Sequence, residues 1–291
     1  MRFIPRSLLA ACAVIAFVAA PAHAAARPTS FALPPGFSAE AMTDHNGALY
    51  VGSQADGSVL RVDVRTGEQT VLVPGHSGRH ANGLRFAGKR LIVAGGTTGK
   101  IYVYNALTGR DVATHDVHGG FVNGVGILGK TAYATDTIKH VVYALPTSGV
   151  GAVRTITLTG DWTPDAFDLD GIIPAGRELL TGQYGTGKLF TVDAATGVSH
   201  AVQGVSVPTN DGLFLKGRTL FVAENSGKVQ EVALNADMTA GRVVKTLPKH
   251  RLRDPTDVAV IGGRLYVLNP HNPQRRAPPT ARDQILDLGK A

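Results

Sequence analysis

One cysteine occurs in the 291 residues, and it lies at position 12. That excludes a disulfide framework, a redox dithiol and a thiolate zinc site. Charged residues make up only 18% of the chain against a typical ~25%, and aromatics 6%. There is no G-x-S-x-G elbow, which removes a serine-hydrolase reading of that type. No apolar run beyond the first 24 residues reaches the ~18 needed to cross a bilayer as a helix. Basic residues are scattered over turn positions, with one pair at Arg275-Arg276, so the formal charge of +7 does not point to a nucleic-acid partner.

Residues 1–24 read as a secretory leader. Arg2 and Arg6 precede an apolar run from Leu8 to Ala20, and Ala22-His23-Ala24 is a small-x-small stop. Leu9-Ala10-Ala11-Cys12 is the competing lipoprotein reading, but most of the apolar stretch follows Cys12 rather than preceding it. Cleavage after Ala24 leaves residues 25–291 as a cysteine-free chain exported to the periplasm or the extracellular space, expected to form a single domain.

What the chain has in excess is glycine: 35 residues where the usual ~7% would give roughly 20. The glycines fall into a repeat. Apolar strand cores begin at Leu49, Leu91, Ala132, Leu179, Leu220 and Leu265, 41–47 residues apart. Gly88-Lys89, Gly129-Lys130, Gly176-Arg177, Gly217-Arg218 and Gly263-Arg264 precede five of them as hairpin turns. Each core is followed by a second turn and a further strand, such as Val59–Val62, Ile101–Tyr104, Leu189–Val192 and Val229–Val232. Thr66-Gly67, Thr108-Gly109 and Thr196-Gly197 then open a fourth strand. Four short strands in a repeat of this length predict an all-β, six-bladed β-propeller, with solenoid stacking as the runner-up. The sixth repeat lacks its fourth strand at the C-terminus; Thr29–Leu33 is expected to supply it and close the ring, which leaves a monomer no need of a second copy.

A second register lies nine residues before each core: Glu40, Asn82, Asn123, Asp170, Asp211 and Thr256, four of them followed by glycine. This position enters the innermost strand, so its side chains converge on the central channel. Asn-Gly and Asp-Gly are also ordinary turn dipeptides, and repeats copy turns. Glu40 is a poor turn residue, however, and carboxylates with amides and no cysteine suit a hard cation such as Ca²⁺ or Mg²⁺.

With Phe121-Val122-Asn123-Gly124, Asp170-Gly171-Ile172 and Asn210-Asp211-Gly212-Leu213, residues 30–290 resemble the SMP-30/gluconolactonase/LRE-like propellers. That resemblance implies one divalent cation, Ca²⁺ first with Mg²⁺, Mn²⁺ or Zn²⁺ as alternatives, held by Glu40, Asn123, Asp170 and Asp211. It implies hydrolysis of a small ester or lactone with Asp211 as general base. Three positions depart from the family pattern. Ala41-Met42 follow Glu40 in place of Gly-Pro, Phe121 and Gly124 flank Asn123 in place of Arg and Asp, and Asp170 replaces an Asn. The competing expectation is a non-catalytic exported propeller that binds a peptide, glycan or protein around a structural ion.

His76, His80, His115 and His118 fall in loops expected on the same face. They are either solvated loop residues or, for His80 and His118, proton shuttles at the channel mouth. Asn82 and Thr256 join these two as candidate mouth residues. Trp162, Phe167 and Tyr184, in or near the long connection 159–169, either pack that loop or line the mouth.

Overall fold

A computed structural model describes residues 27–165, 167–247, 252–271 and 282–291. The expected leader at 1–24, Cys12 and Arg275-Arg276 lie outside these residues. Every regular element among the described residues is a strand, and no helix is long and apolar enough to cross a membrane.

The strands form six antiparallel blades whose innermost strands pack edge to edge around a channel. The inner strands are Ala39–His45, Gly83–Ala87, Val122–Leu128, Leu169–Ala175, Asn210–Lys216 and Asp257–Ile261. Each is followed by one of the predicted core strands, such as Ala48–Ser53 in blade one, which is buried along its whole length because a neighbouring blade covers each face. The outer strands, such as Asp111–Asp116, face solvent and carry the polar residues. Asn46 and Gly47, with φ of 48° and 76°, make the tight turn between the first two strands of blade one, a backbone geometry that only Asn, Asp and Gly adopt at low cost.

The buried apolar side chains divide into six clusters, one at each junction between blades. The junction of blades one and six shows the ring closure. Ser30–Ala32 pairs antiparallel with Gln284–Lys290, with Phe31 opposite Ile285. Phe31 and Leu33, 3% and 1% exposed, insert beside Met42, Leu49 and Tyr266. The chain therefore closes its own sheet edge, as the missing sixth-repeat strand predicts.

Blade four carries one addition. Thr159–Gly160 runs parallel to Val198–Ala201 as a fifth, outermost strand. The excursion it begins buries Trp162 edge-on against Phe190, at 4.8 Å between ring centroids, before returning to the channel face.

Candidate functional site

The inner strands are not regular where the channel residues sit. Pairing shifts register between Ala39 and Ala41, Val122 and Val125, Leu169 and Ile172, and Asn210 and Leu213. The skipped residues are Glu40, Asn123-Gly124, Asp170-Gly171 and Asp211-Gly212. A β-bulge thus falls on each of the four expected ligand positions, and bulges re-aim side chains in this way.

The glycines in these dipeptides are not turn residues. None of Gly83, Gly124, Gly171 and Gly212 has positive φ. Each instead lies against the next blade: a Cβ on Gly83, Gly124 or Gly171 would overlap the carbonyl oxygen of Asn123, Asp170 or Asp211 respectively, and one on Gly212 would overlap Asp257. Glycine lets adjacent inner strands approach until successive site residues share one channel. The turn explanation of the Asx-Gly pattern is therefore replaced by a packing one.

A cavity of about 470 Å³ opens on the face where the inner strands begin, bordered by Glu40, Gln54, Asp211, Asn225, Thr256 and His271 among others. It narrows to a neck of about 20 Å³ lined by Glu40, Asn82, Asp170, Asp211 and Asp257. Asn123 reaches the same group, because its amide hydrogen-bonds to the Asp170 carboxyl and donates to Thr137 Oγ1 at 3.2 Å. Glu40, Asn123, Asp170 and Asp211 are thus brought together, with Asn82 and Thr256 beside them. Asn82 Nδ2 and Thr256 Oγ1 are buried without a hydrogen-bond partner.

The electrostatics follow from burial. Burial, reinforced by repulsion from Asp170 and Asp257, pushes the Glu40 carboxyl up to about 8. Burial pushes Asp170 up to about 7, even though Asp211 and Asn123 hydrogen-bond to it. Asp211 is raised well above the usual carboxylate range by burial and by the Asp170 and Glu40 charges, while Asn225 Nδ2 donates to its Oδ2 at 2.9 Å. Two carboxyl groups in hydrogen-bond contact, with a third nearby, share protons or recruit a cation.

The cation lining the neck, Arg85, is already engaged. Its Nη1 lies 3.8 Å from Asp257 Oδ2 and donates to the Met42 and Leu84 carbonyls. The donor set facing the neck therefore fits a hard divalent ion in chemistry and charge. Among the described residues, no three His, Cys, Asp or Glu side chains form a ready-made metal cluster. An ion here would also need amide, hydroxyl or water oxygens.

The histidine expectations are redistributed. Neither His80 nor His118 borders the cavity; the His118 side chain is 86% exposed and faces Asp116 at 3.2 Å. His115 lies on an outer strand, with Nε2 against the Gly149 carbonyl at 3.1 Å. His271 is the imidazole that borders the cavity, and burial together with nearby Arg253 keeps its pKa below the ordinary value. The aromatic trio divides as well: Trp162 packs the core, whereas Phe167 borders the cavity and meets Tyr184 edge-on at 5.5 Å.

A further signal went unread in the sequence. Five residues after each core's first position stand Gln54, Gly96, Thr137, Tyr184, Asn225 and Pro270. Gln54, Asn225 and Pro270 border the cavity, Thr137 holds Asn123, and Tyr184 supports Phe167. Asp257 was also legible, as a charge standing where four other repeats have glycine.

No family model matches the chain, and no curated protein matches it. Solved structures do. The Malassezia sympodialis allergen Mala s 1 shares 12% identity over 90% of this chain and 96% of its own, with a TM-score of 0.72. The WD40 repeats of RRP9 share 12% over 89% and 97%, with a TM-score of 0.65. Myxococcus xanthus glutaminyl cyclase shares 11% over 90% and 94%, with a TM-score of 0.50. At such identities the likeness is one of fold, and it agrees with the strand order: the chain is a six-bladed β-propeller.

Proposed function

We propose that this is an exported propeller that holds one divalent cation, Ca²⁺ first, at the neck of its channel and hydrolyses a small ester or lactone in the cavity above. The observation that carries this reading is the convergence of Glu40, Asp170 and Asp211, three desolvated carboxyl groups whose facing cation is committed elsewhere. Buried carboxylates are costly unless protons or a cation neutralise them. Glu40, Asp170 and Asp211, with the Asn123 amide oxygen, would hold the ion, which when bound supplies Lewis-acid polarisation of a carbonyl.

Glu40 and Asp211 are the ligand-set members that also border the open cavity. Of the two, Asp211, the position to which the family resemblance gives the general base, is the group assigned to take a proton from an approaching water. Water's oxygen bonds to the acyl carbon, the acyl–oxygen bond breaks, one water proton passes to Asp211 and the departing alkoxide takes a proton back. Gln54, hydrogen-bonded to Glu40, and Asn225, which donates to Asp211 Oδ2 and to the Pro255 carbonyl, position those two carboxyl groups at the cavity. The sequence resemblance to SMP-30/gluconolactonase/LRE-like proteins supports the reading, as does the leader-like segment 1–24 for export.

Elemental analysis and melting with EDTA or added Ca²⁺ test the ion. One ion per chain and a melting temperature that falls on chelation are expected; neither metal nor shift removes the site. A panel of lactones and esters tests catalysis, with Asp211→Asn and Glu40→Gln expected to abolish turnover. Activity that survives both substitutions refutes the mechanism. A bound ion with no turnover on any substrate favours the binding propeller with a structural ion.

A further inference from the structure

The cavity has two unlike walls. Glu40, Asp211 and Asp283 border it from blades one, five and six, and Phe121 and Phe167 from the entries to blades three and four, with ring centroids 6.2 Å apart. Phe167 is 40% exposed, whereas Trp162 of the same excursion is buried, so loop packing does not account for it. Ile138, 49% exposed, abuts Gly120 next to Phe121 and extends the apolar surface. This wall is preformed. Phe121 N–H donates to Asp136 Oδ1 at 3.1 Å and its carbonyl accepts from Thr137 N–H at 3.0 Å. The Phe167 loop is pinned by Asp165 N–H donating to Asp168 Oδ2 at 2.7 Å.

Charge on the other side argues against an anionic ligand. Among the described residues no lysine or arginine borders the cavity, while carboxyl groups do. A sugar lactone would need paired donors and acceptors around its ring, and on this wall it would meet two phenyl faces instead. A volume of about 470 Å³ accommodates one ring with a short arm.

Resting on the hydrolase reading above, we infer that the mouth selects an uncharged ester or lactone bearing an aromatic or alkyl arm, seated on the Phe121–Phe167 wall, over sugar lactones and anionic esters. The arm contributes recognition only and adds no step to the hydrolysis. Phe167, the more exposed ring of the wall at 40%, is the specificity-determining residue, and with no polar atom it takes no part in holding the ion.

The test compares kcat/KM for γ-phenyl-γ-butyrolactone and phenyl acetate with that for glucono-δ-lactone, using the full chain and its Phe167→Ala and Phe167→Leu variants. Binding of 5-phenyl-2-pyrrolidinone, a lactam that ester hydrolysis does not consume, is measured in parallel by titration calorimetry. The aromatic substrates are expected to lead by about tenfold or more. Phe167→Ala is expected to weaken them and the lactam by about tenfold, and Phe167→Leu by less, with the sugar lactone unmoved.

Preference for glucono-δ-lactone, or an equal loss on all substrates in Phe167→Ala, overturns the inference while the hydrolase reading stands. Lactam binding that depends on Phe167 without turnover of any substrate upholds the aromatic wall and removes the hydrolase. Absence of both lactam binding and aromatic turnover overturns the inference.

Discussion

Replacing Asp136 with asparagine asks whether one buried carboxylate holds the aromatic side of the mouth. Asp136 is fully buried. Its Oδ1 accepts from the backbone N–H groups of Phe121, Ile138 and Lys139 at 3.1, 3.1 and 2.9 Å. Its Oδ2 accepts from Gly120 N–H at 2.8 Å and the Tyr143 hydroxyl at 3.0 Å. Burial alone would raise this carboxyl, but the bonds from Lys139, Phe121, Gly120 and Tyr143 outweigh it and hold the pKa below the ordinary value.

An asparagine keeps one acceptor oxygen and turns an NH₂ group toward the other donors. Losing two charge-assisted bonds, at ~1.5–3 kcal/mol each, predicts a cost of about 3–4 kcal/mol after partial relaxation. That is a large share of the ~5–15 kcal/mol that stabilises a typical domain. The pH dependence has a definite sign. A carboxyl whose folded pKa is depressed contributes stability above the unfolded value of ~3.9 and loses it as pH falls through the folded value. The gap between wild type and Asp136→Asn should therefore be full at neutral pH and narrow below about pH 4. Urea denaturation across pH measures it, with Tyr143→Phe, expected to cost ~1 kcal/mol, as the single-bond control. A gap under ~1 kcal/mol at pH 7, or one unchanged in acid, refutes the reasoning.

Gly171→Ala should destabilise the chain by about 1–3 kcal/mol, since the new methyl overlaps the Asp211 carbonyl across the blade junction; denaturation with no loss would contradict the close-approach account. Asp170→Asn removes one of the carboxyl groups crowded at the neck, so the cation-free protein should melt higher in EDTA and gain less from Ca²⁺; a lower melting temperature in EDTA would count against charge crowding. Starting the chain after Leu33 removes Phe31 and Leu33 from the closing junction, at ~1.5–3 kcal/mol each, and bares the strand Gln284–Lys290. Calorimetry should show the loss and size-exclusion chromatography should show association; an unchanged transition and elution volume would deny the closure a stabilising role.

The blade count, the core strands and the closing segment around Phe31 were legible because each is encoded locally, in apolar runs and turn dipeptides repeated every 41–47 residues. The convergence of Glu40, Asn123, Asp170 and Asp211 was legible because equivalent positions of a closed ring point at one axis. The glycines beside them were open to a second explanation, since a close approach and a tight turn both call for a missing Cβ. Only the positions of neighbouring blades distinguish the two.

The same limit governs the mouth. His80 and His271 both sit in loops on the channel face, and nothing local says that His271 borders the cavity while His80 does not. Trp162 and Phe167 lie five residues apart, yet one is buried against Phe190 and the other opens onto the mouth, because the added strand Thr159–Gly160 sets how the excursion returns. By itself the sequence determined a ring of six blades with an oxygen-rich axis, because periodic burial and turn chemistry act over a few residues. The tertiary structure decided which bulges aim carboxyl groups into the neck, which cation is spent on Asp257 and which aromatic faces the cavity, because those depend on distances between segments far apart in the chain.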